Sequence, residues 1–290
     1  MKKKISLLLI AIMLSSLVLT ACGNGEPADV DKPEDNVEED QGKDDAGETN
    51  TLDSIIERGT IVLGTDADYP PFEFHTMVDG KDEIVGLDIE IAKYIADELG
   101  VELEIQEMDF DKLLGGLATE KLDMVIAGMN PSPERLEEAD FSDIYYEANL
   151  GVLVKKDSDV EINNQEDLDG KTIGVQMGTV QEEIAQETIN DAEVTSLGKN
   201  PDIIMNLKTG KIDCAIVEVP VAESFARAND DIKVVEGLEI DNDSEGVAIA
   251  TKKGNDQLTE KMNEILEDIK SQGLIEKWLV EADELSTKDI

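Results

Sequence analysis

Thiol and imidazole chemistry in this chain would have to come from three residues: Cys22, Cys214 and His75. Their surroundings exclude most of it. Cys214 lies within the apolar run Ile212-Asp213-Cys214-Ala215-Ile216-Val217, where a thiol behaves as a small hydrophobe. Cys22 instead closes an N-terminal apolar segment, so no disulfide between the two is expected. A single histidine builds no His-rich metal site, and no Cys/His cluster accompanies it. Recognition is left to carboxylates, amides and a few cations. One local pattern stands out among them. Met177-Gly178-Thr179 leads from an apolar run into a helical stretch starting at Val180, and the N–H groups at such a start suit an anion.

The 290 residues carry 68 acidic against 25 basic side chains, a formal charge of −43. No cationic surplus exists to displace counterions from a phosphate backbone, so nucleic acid is excluded as a partner. Such a charge describes a solvated surface and says nothing of fold.

The two ends differ from the middle. Residues 1–21 read Met1-Lys2-Lys3-Lys4, an apolar stretch from Ile5 to Leu19, then Thr20-Ala21. A charged start, an apolar segment and a small-residue exit make a secretory signal, and the segment is shorter than the ~20 apolar residues of a membrane span. Leu19-Thr20-Ala21-Cys22 resembles the bacterial lipobox, in which the cysteine is lipidated and becomes the mature N-terminus. That resemblance implies a tether from Cys22 to the extracytoplasmic face of the cell membrane. Residues 22–50 are crowded with Asp and Glu and contain only Val30 and Val37 as large apolar residues. They are expected to form an acidic disordered tether, because they bury too little surface to offset the entropy of ordering.

From Thr51 the pattern changes to alternating strands and helices. Thr60 to Gly64 suits a buried strand stopped by glycine. Ile91, Ala92, Ile95, Ala96 and Leu99 recur at helical spacing after Gly86-Leu87-Asp88, and Gly100 stands where a helix stop belongs. Val101 to Ile105 alternates as a half-buried strand does. A second helix is expected from Phe110 to Leu117, with strands at Leu122–Ala127, Lys171–Val175, Ile212–Val217 and Gly246–Ala250. Further helices are expected from Val180 to about Ile189 and from Asp256 to Leu279. This alternation predicts an α/β fold with mainly parallel sheets. Two such blocks, before and after about residue 150, predict two lobes with a ligand cleft outside the carboxyl ends of the strands.

Several segments stand out in order: Gly64-Thr65-Asp66-Ala67-Asp68-Tyr69-Pro70-Pro71-Phe72-Glu73, Gly86-Leu87-Asp88-Ile89-Glu90, Asp109-Phe110-Asp111 and Ala127-Gly128-Met129-Asn130-Pro131-Ser132-Pro133-Glu134-Arg135. Asp140-Phe141-Ser142-Asp143, Leu168-Asp169-Gly170-Lys171-Thr172-Ile173-Gly174-Val175 and Gly210-Lys211-Ile212-Asp213-Cys214-Ala215-Ile216-Val217-Glu218 complete the set. Together they resemble the polar amino-acid-binding proteins of bacterial ABC importers, solute-binding family 3, with the type II periplasmic binding fold. The resemblance implies a first lobe from 51–150 and 242–290, and a second from 151–241 inserted into it. Crossovers near Val152–Lys155 and Asp241–Gly246 would form a hinge for lobe closure.

The resemblance also assigns roles. Arg135, with its fork of two parallel donors, matches the family arginine that takes a ligand carboxylate. The backbone N–H groups of Thr179 and Val180 would add to it. Glu218 matches the position whose carboxylate takes the ammonium, where the family often has Asp, and the carbonyl of Gly128 would be a further acceptor. Asn130 replaces the family's usual Ser or Thr; its amide accepts and donates. Tyr69 and Phe110 match aromatics that sandwich the ligand side chain, with Asp66 and Gln176 at its far end. Glu73 and Asp88 are expected to be a solvated face or a helix cap.

A zwitterion held this way implies a free amino acid as ligand and a membrane permease as partner. Asp66 favours a side chain that donates: arginine, lysine or histidine, with a cation stacked between the aromatics. Glutamine is the alternative, donating to Asp66 and accepting from Gln176. An acidic side chain would need a second cation, and none of the matched positions supplies one. An enzyme on the same fold, a dehydratase using Glu218 as general acid, is the rival from another class. A sensory ectodomain would need a transmembrane helix after Trp278. The expectation is a monomeric binding protein with no catalysis, no cofactor and no metal.

Overall fold

The computed structural model describes residues 51–238, 240 and 246–287. The secretory signal, Cys22, the acidic tether and residues 241–245 of the expected second crossover lie outside the described residues.

The chain first forms α1 (Leu52–Arg58), β1 (Thr60–Thr65), β2 (Asp68–Tyr69), β3 (Glu73–Val78), β4 (Lys81–Val85), α2 (Leu87–Leu99) and β5 (Glu102–Glu107). There follow α3 (Leu113–Ala118), β6 (Met124–Val125), α4 (Pro133–Glu138) and β7 (Ala139–Phe141). A second run holds β8 (Leu150–Lys155), β9 (Thr172–Gln176), α5 (Val180–Glu187), β10 (Glu193–Leu197), α6 (Asn200–Lys208), β11 (Cys214–Glu218), α7 (Val219–Ala228) and β12 (Ile232–Val234). β13 (Ala250–Lys252), α8 (Asp256–Ser271) and α9 (Leu274–Ser286) close the described chain.

Two five-stranded sheets organise these elements, in the orders β5-β1-β6-β13-β7 and β10-β9-β11-β8-β12. In each, three parallel strands lie with the first in chain order at the centre: β1 between β5 and β6, β9 between β10 and β11. Two antiparallel strands then follow beyond the third, β13 and β7 in one sheet and β8 and β12 in the other, so each sheet is mixed where mainly parallel pairing is expected. Because β13 follows β12 in sequence yet pairs in the first sheet, that lobe is interrupted by the second. A small antiparallel sheet, β2-β3-β4, sits beside the first.

The local rules hold where they are local. α2 buries Ile91, Ala92, Ile95 and Ala96 on one face and ends at Gly100 with φ 69°, whose N–H bonds Ala96 and Asp97 carbonyls. β5 alternates between partly covered and exposed positions, as an edge strand does. β11, central in its sheet, is buried at every residue.

Four other expectations change. The helix from Phe110 begins as a 3-10 turn, Phe110–Lys112, whose first N–H donates to Asp66 Oδ2 at 3.2 Å. Ladder pairing in the last strand starts only at Ala250, because Val247 and Ala248 instead bond the Tyr146 and Met129 carbonyls, both at 2.9 Å. The long C-terminal helix is broken by Gly273, at φ 66°, into α8 and α9. Val152–Lys155, near which a crossover is expected, lie inside β8, paired with β11 and β12, and the connection from the first sheet to the second is the 142–149 segment before it. No described helix is long and apolar enough to cross a membrane.

Candidate ligand-binding site

The carboxyl ends of four parallel strands converge on one cavity, as open α/β sheets arrange. Asp66 follows β1, Ala127 and Gly128 follow β6, Gln176 ends β9 and Glu218 ends β11. A narrow cleft with about 270 Å³ of space between atoms, part of it open to solvent, is lined by Asp66, Tyr69, Glu73, Phe110, Ala127, Gly128, Asn130, Gln176, Thr179, Gln181 and Glu218. Arg135 and Val180 line an adjoining groove that shares Phe110 and Thr179 with the cavity. All ten residues singled out by resemblance therefore lie on one of two connected surfaces.

Arg135 is positioned by α4, whose start is set by Ser132: its hydroxyl accepts from the Arg135 N–H at 3.4 Å, and Pro133 follows in the first turn. The guanidinium donates through Nη1 to the Asn130 carbonyl at 2.7 Å and through Nη2 to the Gly178 carbonyl at 2.8 Å. It also lies over the Phe110 ring, 5.1 Å from the centroid. Burial lowers its pKa to about 10, so it stays charged. Across from it, Thr179 caps α5 by accepting from the Glu182 N–H at 3.3 Å. The N–H groups of Thr179 and Val180 are those a helix start leaves without an intrahelical acceptor. A guanidinium and a helix N-terminus thus face one another, an arrangement suited to a carboxylate.

Glu218 receives the Tyr69 hydroxyl, and its own N–H donates to that hydroxyl at 3.3 Å. Burial holds both its carboxyl and the Tyr69 phenol above their ordinary pKa ranges. Gly128, at φ 53°, sits so near the Tyr69 ring that a Cβ there would lie 3.3 Å from it. Its N–H donates to Asp88 Oδ2 at 2.8 Å. Asn130 donates from Nδ2 to the Gly246 carbonyl at 3.0 Å, so part of its donor capacity goes to the connection before β13.

Asp66 is 1 % exposed, and both its oxygens are engaged. Oδ2 accepts from Gln176 Nε2 at 2.8 Å and from the Phe110 N–H, while Oδ1 pairs with the Lys199 ammonium. The Gln176 amide is spent at both ends, since its Oε1 accepts from Asn200 Nδ2 at 3.0 Å. Asn200 also donates to Asp68, whose carboxyl is pushed up to about 7 by burial and by the neighbouring Asp66 charge.

Glu73 and Asp88 are neither solvated nor capping. They are 1 % and 0 % exposed and share a hydrogen bond, with the Tyr145 hydroxyl donating to Asp88 at 2.8 Å. Burial, with Asp88 alongside, raises Glu73 well above the carboxylate range, and Asp88 is pushed up to about 6. Among the described atoms, Glu73 Oε2 and Gln181 Oε1 are buried without a hydrogen-bond partner, and both residues line the cavity.

Sequence reasoning missed Gln181, Lys199 and the burial of Glu73. Gln181 had a signal, being next to Thr179 and Val180 in the first turn of α5. Lys199 had none, since 133 residues separate it from Asp66. A second cation does therefore approach the cavity, although no motif position supplies it.

Residues 61–281 match the model of the bacterial extracellular solute-binding proteins, family 3. The arginine-binding extracellular protein ArtP of Bacillus subtilis is 39% identical over 219 residues, 75% of this chain and 83% of that protein. The L-cystine-binding protein TcyJ of Escherichia coli is 32% identical over 231 residues, 78% of this chain and 85% of its own. A crystal structure of the amino-acid ABC transporter substrate-binding protein AbpA from Streptococcus pneumoniae, bound to L-arginine, superposes with a TM-score of 0.78 at 36% identity. It covers 81% of this chain and 99% of that one.

Proposed function

The chain belongs to family 3 of the bacterial extracellular solute-binding proteins, and on that premise we propose that it captures a basic L-amino acid, arginine ahead of lysine and histidine. It delivers that amino acid to the membrane permease of an ABC importer, without catalysis. The observation that carries the reading is the buried, unpartnered Oε2 of Glu73 in the cavity wall. A buried acceptor without a donor is costly, and a guanidinium, with five donors in a plane, relieves it as an apolar or acidic side chain would not. Arg135 with the Thr179 and Val180 N–H groups would take the ligand carboxylate, and Glu218 its ammonium. Glutamine is disfavoured because both ends of the Gln176 amide are already used. The arginine names of ArtP and AbpA support the same ligand.

Anchoring belongs to this reading: the lipobox-like Leu19-Thr20-Ala21-Cys22 supports a lipid on Cys22 that holds the protein at the extracytoplasmic face. So does its organisation, with residues 51–150 and 242–290 in one lobe, 151–241 in the other, and closure of the two upon the ligand as a monomer.

Thermal-shift screening of the twenty amino acids and cystine tests the ligand, because a compound that binds only the native state raises its melting temperature. Arginine should give the largest shift. Glu73→Gln should weaken arginine about fivefold, the cost of putting a donor amide where the ligand needs a buried acceptor oxygen. A largest response to glutamine, glutamate or cystine would overturn the basic-ligand reading.

A further inference from the structure

Lys199 stands immediately before α6, on the side of the second sheet, and reaches Asp66 after β1 of the first. Its ammonium pairs with Asp66 Oδ1 and lies 3.6 Å from Asp109 Oδ1. The next residue, Asn200, makes the parallel contact: its amide donates to Asp68 Oδ1 at 2.8 Å and its N–H to Asp68 Oδ2 at 3.2 Å. Two adjacent donors from one half thus meet two carboxylates, one residue apart, from the other. Only Lys199 brings a charge. Its side chain is 35% exposed, whereas that of Asp66 is 2% exposed, so the ammonium comes in from the rim and its partner forms the wall.

With Phe110 N–H and Gln176 on Oδ2, Asp66 has three donors from its own chain. A cationic ligand side chain reaching Asp66 must share it with a like charge or displace that charge. An uncharged side chain of the same shape meets no such opposition. We propose that Lys199 is a specificity-determining residue of this cavity, a built-in counter-ion of Asp66 that holds down the preference for a cationic over an uncharged amino acid. The inference rests on the basic-amino-acid reading above. Lys199 also ties the two halves together, and loss of that tie would weaken every ligand alike, so the affinity ratio between two ligands isolates the electrostatic part.

Titration calorimetry with arginine and citrulline, on wild type, Lys199→Met and Lys199→Arg, provides the test. Methionine keeps most of the side-chain length at a half-exposed position, so the fold should survive. The arginine-to-citrulline affinity ratio should rise about threefold or more in Lys199→Met, as a partly exposed like charge is removed from a cation's path. Lys199→Arg, which keeps the charge, should stay within about twofold of wild type. A ratio unmoved or lowered by Lys199→Met, with wild type still binding arginine, would overturn this inference alone. A wild type that binds neither compound would overturn the functional reading and this inference with it.

Discussion

The Tyr69 hydroxyl donates to the Glu218 carboxylate, and the Glu218 N–H donates back to the same oxygen at 3.3 Å, joining residues 149 apart from opposite halves of the fold. Tyr69→Phe keeps the ring against Gly128 and removes only the bridge. A hydrogen bond to a charged group contributes ~1.5–3 kcal/mol, so the variant should unfold at a measurably lower temperature. Without that donor the Glu218 carboxyl should rise further in pKa and hold an ammonium less well at neutral pH. An unchanged melting temperature together with unchanged amino-acid affinity would mean the bridge is idle.

The Arg135 fork spans the Asn130 and Gly178 carbonyls while facing the start of α5. Lysine supplies the charge without the fork. Arg135→Lys should therefore weaken arginine binding by about tenfold, and Arg135→Ala by about thirtyfold or more. Circular dichroism should show both variants folded. Calorimetry returning wild-type affinity for Arg135→Ala would remove this residue from the site.

Asp68, pushed up to about 7, and Asp88, at about 6, should make the protein without added ligand more stable in mild acid. Their unfolded values are near 3.8, so between that pH and the folded values the native state holds protons the unfolded chain has released. Stability contributed by these groups then falls as pH rises from about 4 to about 7 and levels off above. Asp68→Asn removes one such group. The difference in melting temperature between about pH 5 and pH 7.5 should be smaller in Asp68→Asn than in wild type. Equal differences would count against this assignment.

Lipidation is tested by location. Cys22→Ser, expressed in a bacterial host, should move the protein from the membrane fraction to the soluble fraction or medium. Membrane retention of the variant with an uncleaved N-terminus would show that the lipobox-like segment is not processed.

Much of the fold was legible because the relevant signals are short-range. The 3.6-residue recurrence from Ile91 to Leu99 with Gly100 behind it specifies α2 within a single stretch of chain. The alternation of β5 is equally local. The break at Gly273 was visible as a residue but not as an outcome. Glycine in a helix costs only about 1 kcal/mol; the break follows from Gly273 adopting φ 66°, after which α9 sets Trp278 against Tyr94 of α2 at 5.9 Å between ring centroids.

The site divides along the same line. Resemblance to the family's motifs already placed Arg135, Glu218, Asp66 and the two aromatics as candidates, because a binding motif is a stretch of backbone that carries its side chains with it. Which carboxyls keep their protons, and which are already taken, depends on desolvation and on partners from the other half of the chain. Glu73 and Asp88 look like surface acids in sequence and become a hydrogen-bonded pair with raised pKa values only when Tyr145 and the surrounding core exclude water. Lys199 finds Asp66 only when the residue before α6 is brought to the residue after β1. Sequence alone determined the elements and the class of chemistry; the charge state and occupancy of the cavity were decided by tertiary structure, since burial and long-range pairing exist only after folding.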